Sequence, residues 1–209
     1  TRDPGSENLP VLVADIVLAP PAQSLRDLAV DQAANLIYVT DTAGQLHVID
    51  GATFAVIKTL PLGGELLADP ENQRLYVFQR YPAEDEPALI HVIDTTLLAE
   101  IGALPGRAID VDSAGNRLFV GEPYSSYTPS NGTSVRVVDG STLQTVREIA
   151  QPGTPLYNPE RDELLIVAYT LYTADPATGV VTGDLFPELT SGEQASFLWC
   201  NGCEWVDNV

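Results

Sequence analysis

The chain of 209 residues has no methionine, one lysine (Lys58), two histidines and two cysteines. Positive charge is the scarcest commodity: 10 basic side chains stand against 29 acidic ones, for a formal charge of −19. Such a surface repels phosphate backbones and anionic headgroups, which excludes nucleic-acid binding and adhesion to anionic membranes. Long apolar runs are also missing. Asp15, Pro20 and Pro21 interrupt the one N-terminal candidate well short of the roughly 18 residues a spanning helix needs, so the protein is not membrane-embedded. A chain that opens on Thr1 and lacks methionine reads as a processed or excised product. One lysine against nine arginines has no physical account.

What is present is globular in kind, with 44% apolar and 19% charged residues and enough length for a real core. Sixteen glycines and sixteen prolines point to many tight turns and many short strands. A repeat then emerges. Leu28-Ala-Val-Asp31, Leu36-Ile-Tyr-Val39 and Leu46-His-Val-Ile-Asp50 recur as Leu66-Leu-Ala-Asp69, Arg74-Leu-Tyr-Val77 and Ile90-His-Val-Ile-Asp94. They recur again as Ile109-Asp-Val-Asp112, Arg117-Leu-Phe-Val120 and Val135-Arg-Val-Val-Asp139. A more decayed copy runs through Leu156-Tyr-Asn158, Glu163-Leu-Leu-Ile-Val167 and Leu171-Tyr-Thr-Ala-Asp175. The closing aspartates are 44, 45 and 36 residues apart, near the period of a four-stranded propeller blade.

Each copy divides into four strand signals: a short apolar stretch, a β-branched segment, and two alternating segments. Asp50, Asp94, Asp139 and Asp175 open the turn between the third and fourth. An aspartate there accepts hydrogen bonds from backbone amides two residues on, so turn capping is preferred to metal binding for all four.

Leu36-Ile-Tyr-Val-Thr-Asp41 followed by His47-Val-Ile-Asp50 resembles the YVTN-type β-propeller repeat family, with similarity over about residues 25–190. The resemblance implies an all-β fold: a β-propeller of four-stranded antiparallel blades, with repeats at about 25–63, 64–106, 107–153 and 154–190. The copy at 154–190 is expected to form the weakest blade. Residues 1–10 are expected to be a flexible lead-in to a propeller domain over 11–209. Residues 11–19 match a fourth-strand pattern and read as an orphan strand. Residues 195–209 read as a partial repeat. Together they point to part of a larger six- or seven-bladed ring, whose open blade edges would invite self-association.

The resemblance also implies that second-to-third and fourth-to-first connections share one face around the channel mouth. Two second-to-third connections are enlarged, in neighbouring repeats. They carry Tyr81, Glu84, Asp85 and Glu86 in one, and Tyr124 and Tyr127 in the other, a set suited to anchoring a protein, peptide or glycan partner. Plain surface insertions are the alternative. The fourth-to-first connections place Arg26, Asp27, Glu65 and Arg107 by the channel, as a mixed-charge rim for a small polar ligand or as solvated surface. The first-strand residues Leu28, Val30, Leu66, Ala68, Ile109 and Val111 are taken to point inward and to disfavour a polar catalytic funnel. His47 and His91 occupy equivalent positions and are read as lying on blade surfaces.

Cys200-Asn-Gly-Cys203 lacks the histidine of a haem-attachment motif and the extra ligands of a zinc site. It reads as a disulfide across a hairpin turn, with two free thiols the alternative; a disulfide implies an oxidising, extracytoplasmic location. No cofactor and no metal site is called for. The functional expectation is a non-catalytic binding or scaffold module. The alternatives are a metal-dependent lactonase-like hydrolase and a structural repeat of a large surface protein.

Overall fold

The computed structural model describes residues 24–79, 88–121, 134–168 and 170–185, together with Ile16 and Leu18. Four four-stranded antiparallel sheets follow one another along the chain, each meandering in sequence order. Blade one holds β1 (Leu25–Asp31), β2 (Leu36–Asp41), β3 (Leu46–Asp50) and β4 (Val56–Leu60). Blade two holds β5 (Glu65–Asp69), β6 (Arg74–Phe78), β7 (Leu89–Asp94) and β8 (Ala99–Pro105), with a single 3-10 turn at Pro70–Asn72. Blade three holds β9 (Ala108–Asp112), β10 (Arg117–Gly121), β11 (Val135–Asp139) and β12 (Thr145–Ile149). Blade four holds β13 (Thr154–Asn158), β14 (Glu163–Val167), β15 (Leu171–Ala174) and β16 (Val181–Asp184), so the most decayed repeat still forms a complete sheet.

The first strands touch from blade to blade, β1 against β5, β5 against β9 and β9 against β13, which makes them the inner strands of a β-propeller array. Three apolar cores fill the gaps between consecutive blades. The aromatic at the third position of the second strand plugs each one. Tyr38 enters the core against blade two, Tyr76 the core against blade three and Phe119 the core against blade four, all fully buried. A side chain of this size contributes about 2–3 kcal/mol through burial, so the repeat's aromatic is chiefly an inter-blade plug. Blade four carries Leu165 there, half-buried, on the face turned away from blade three.

The first-strand apolar residues serve these same cores. Leu66 and Ala68 pack toward blade one, Ile109 and Val111 toward blade two. This corrects the inward-pointing assignment: alternation along a strand sends successive side chains to the two blade faces, and an inner strand presents its edge to the axis. The equivalent residues of blade one, Leu28 and Val30, are 57% and 47% exposed.

Turn chemistry repeats as strictly as the strands. Four residues after the aspartate that closes each third strand, the chain adopts positive φ, at Phe54, Leu98, Leu143 and Gly179. A register shift in the third strand precedes every one of these turns. Four residues after the first strand's closing Asp or Asn, it does so again, at Asn35, Gln73, Asn116 and Asp162. The predicted capping holds. Asp50 Oδ1 accepts from the Ala52 and Thr53 amides at 3.0 and 2.7 Å and from the Thr53 hydroxyl at 2.8 Å. Asp94, Asp139 and Asp175 accept from the hydroxyls of Thr96, Thr142 and Thr178 and from the equivalent amides. These bonds hold all four carboxyls below the ordinary aspartate pKa.

Candidate partner-binding face

Strand register decides which connections share an edge. Glu65 pairs with Phe78, Ala108 with Gly121 and Thr154 with Val167, so every first strand begins where its second strand ends. The second-to-third connections therefore leave from the same edge at which the first strands begin. In blade one that connection is the short turn between Asp41 and Leu46, and in blade four it joins Val167 to Leu171. In blades two and three it spans residues 79–88 and 122–134, rooted on the register pairs Phe78–Ile90 and Val120–Arg136. Tyr81, Glu84, Asp85, Glu86, Tyr124 and Tyr127 lie outside the described residues, as do Cys200, Cys203 and the terminal segments 1–10 and 195–209.

Arg26, Asp27, Glu65 and Arg107 all fall on the edge from which those loops leave. Arg26 is exposed, and the other three are half-buried. Asp27 has structural partners: its Oδ2 accepts from the Leu66 amide of blade two at 2.8 Å, while Oδ1 accepts from the Leu28 amide at 2.8 Å. The Arg107 amide donates to the Gly121 carbonyl at 3.2 Å, tying the start of blade three's first strand to the end of its second.

Sequence reasoning missed the residues that repeat this strapping elsewhere. Asp110 Oδ2 accepts from the Tyr157 amide of blade four at 2.6 Å and Oδ1 from the Val111 amide at 2.9 Å. Inner strands of adjacent blades share no ladder, so a carboxylate from one must satisfy an amide on the edge of the next. Burial pushes the Asp110 carboxyl above the ordinary aspartate pKa, against the opposing pull of the two amides. An aspartate inside an apolar first strand is the only sequence signal it offers.

At the opposite edge, the Arg117 guanidinium forks between blades. Its Nε donates to Asp112 Oδ2 at 2.7 Å and its NH2 to Asp162 Oδ1 at 2.7 Å. It also lies over the stacked rings of Phe119 and Tyr157. A shallow depression on blade four includes Asp162 and Asp175 among its lining. Asp162 is bound there by Arg117 and Tyr157, and Asp175 by its own turn, so neither is poised for acid–base work. Among the described residues, no three His, Cys, Asp or Glu side chains converge as metal ligands.

The histidines differ from their surface assignment in one case. His47 is 4% exposed, with Nε2 3.0 Å from Asp41 Oδ2 and Nδ1 3.3 Å from the Thr59 hydroxyl. His91 stays partly exposed beside Glu100 at 2.8 Å. Asp41 also accepts from the Ala43 and Gln45 amides, and His47 with these amides holds its carboxyl below the ordinary value despite burial. The Tyr38-Val-Thr-Asp41 segment thus supplies a core plug, a loop anchor at Asp41, and at Thr40 a hydroxyl that donates to the Gly64 carbonyl of the next blade at 2.6 Å.

An array of four-stranded blades with inner strands strapped edge to edge defines the molecule as a β-propeller protein. No protein-family model matches the chain. Among curated proteins it is 30% identical over 155 residues to the uncharacterized protein YncE of Salmonella typhi, and 29% identical to its Salmonella typhimurium counterpart. Each match covers 68% of this chain and 41% of the relative. Solved structures show the fold: Kuenenia stuttgartiensis hydrazine synthase matches 84% of the chain with a TM-score of 0.59 and 15% identity. A Mitotic Checkpoint Complex chain and BamB of Moraxella catarrhalis each match 77%, with TM-scores of 0.57 and 0.51 and identities of 14% and 15%. The chain spans about half the length of these structures, covering 52%, 50% and 49% of them respectively.

Proposed function

We propose that the protein is a non-catalytic binding or scaffold module of the YVTN type, working outside the cytoplasm through the edge that carries its two long loops. One observation carries this reading: the enlarged second-to-third connections are rooted on adjacent blades, on the same edge, while blade one closes the corresponding connection in a short turn. Tyr81, Tyr124 and Tyr127 bring large, stiff, amphipathic contact area to such a face, and Glu84, Asp85 and Glu86 bring negative charge. A rigid array holding variable loops is a common way of presenting a recognition surface. The described polar side chains fit a scaffold: Asp27, Asp110 and Arg117 join blades, and the turn aspartates hold hairpins. One structural neighbour belongs to a protein assembly, the Mitotic Checkpoint Complex, in keeping with a propeller that acts through protein contacts.

The test replaces residues 80–87 and 122–133 with turns the length of blade one's and compares the variant with the wild-type chain. Both are immobilised and exposed to glycan arrays and to a secreted or periplasmic protein fraction, with circular dichroism confirming the sheet. Ligands retained by the wild type and lost by the variant support the proposal. Identical binding by both rejects it.

A further inference from the structure

Blades two and three carry the same aspartate–arginine pair at the end of the first hairpin, and treat it differently. In blade three the pair closes directly, Arg117 Nε to Asp112 Oδ2 at 2.7 Å. In blade two the equivalent residues are Asp69 and Arg74, paired across the β5–β6 ladder. There Arg74 uses its NH1 for the Gln73 carbonyl at 3.0 Å and Asp94 Oδ2 at 3.1 Å. Asp69 uses Oδ2 for the Asn72 side-chain amide at 2.9 Å, which also donates to the Ser113 carbonyl of blade three at 2.9 Å.

Among the described residues of this first hairpin, three buried polar atoms make no hydrogen bond to protein: Asp69 Oδ1, Arg74 Nε and the Tyr76 hydroxyl. They share one face of the sheet. Asp69 opposes Arg74 in register, and Tyr76 follows Arg74 by two residues on the strand. Asp69 is 1% exposed and Tyr76 fully buried, and both charges act on the Tyr76 phenol, whose pKa burial and Asp69 push up and Arg74 draws down. Blade three has Phe119 where blade two has Tyr76, and Gly115 where blade two has Asn72, so the hydroxyl and the Asn72 amide both distinguish the open pair from the closed one.

We propose that Asp69 Oδ1, Arg74 Nε and the Tyr76 hydroxyl together bind one structural water molecule at the joint between blades two and three. The chemistry matches water's own valence. Arg74 Nε donates to it, Asp69 Oδ1 accepts from it, and the phenol oxygen does either. Buried waters typically make about three such bonds to otherwise unpaired groups. Leaving three such groups unbonded inside a core costs more than immobilising the single water that serves them all. Blade two's joint is therefore hydrated, whereas at the blade three–blade four joint the Arg117 fork pairs Asp112 and Asp162 directly.

A crystal structure of the wild-type chain tests the assignment: one ordered water within hydrogen-bonding distance of all three atoms is expected. A direct Asp69–Arg74 or Asp69–Tyr76 bond with no solvent density between them would overturn it. The Tyr76→Phe variant gives a second reading in solution, by oxygen-17 relaxation dispersion. The number of long-lived internal waters is expected to fall by one, with Arg74 closing onto Asp69 as in blade three. An unchanged count in a folded variant would also refute the site.

Discussion

The backbone amide of Tyr157 donates to the carboxylate of Asp110 at 2.6 Å, joining the inner strands of two blades across 47 residues of sequence. The bond takes the place of the ladder that adjacent blades lack. Asp110→Ala leaves that amide unsatisfied and is expected to cost about 1–3 kcal/mol, read from urea unfolding. The folded protein holds the Asp110 proton more tightly than the unfolded chain does. Its contribution is therefore fully present below the unfolded aspartate pKa and declines as pH rises through the raised folded value. Asp110→Ala should remove that part of the pH dependence; an unchanged slope would contradict the burial assigned to this carboxyl.

The turn aspartates act in the opposite direction. Asp50, Asp94, Asp139 and Asp175 have depressed pKa values in the fold, so their stabilisation is present above the ordinary aspartate value and is lost as pH falls through the depressed ones. Carboxyl-detected NMR titration should place all four midpoints below that of a free aspartate. Asp139→Asn keeps an acceptor for the turn without the charge and should flatten the acid limb of the stability curve.

Arg117→Lys is expected to cost about 1–3 kcal/mol, because a single ammonium cannot fork between Asp112 and Asp162 while covering the Phe119 and Tyr157 rings. Arg147→Lys is the control. Its NH1 donates to the Thr178 carbonyl at 3.0 Å on an exposed surface, and a change within about 0.5 kcal/mol is expected in thermal melts.

Two glycines separate crowding from backbone conformation. A Cβ on Gly64 would collide with the backbone of Phe78, approaching its carbonyl oxygen and lying 2.9 Å from its carbonyl carbon. Strand backbone cannot swing away as a side-chain tip can, so Gly64→Ala should cost about 2–3 kcal/mol. Gly44 has φ +80° and open space around it, so Gly44→Ala should cost about 1 kcal/mol, from conformation alone. Equal losses in chemical denaturation would show that the close approach at Gly64 is relieved elsewhere.

Much of the fold was legible before any coordinates, for reasons that are local. Two-residue alternation marks a half-buried strand, and an aspartate followed by threonine or serine two or three residues on marks its turn. Leu36–Val39, Arg74–Val77 and Arg117–Val120 emerged as second strands from their apolar, β-branched runs, and the structure extends them to Asp41, Phe78 and Gly121. The site was less legible. His47 looks like its repeat mate His91, yet burial beside Asp41 and Thr59 sets it apart, and neither partner is adjacent in sequence. Asp110 and Arg117 find partners 47 and 45 residues away, beyond the reach of any turn rule.

By itself the sequence determined the four-strand unit, its turns and the aromatic that the first three units share, because periodicity and side-chain-to-amide bonds act within a few residues. Only the tertiary structure decided which face each apolar side chain serves, which carboxylates strap one blade to the next, and that both long connections leave from one edge. Those outcomes depend on where one sheet's edge meets another's, a relation between distant segments set by packing.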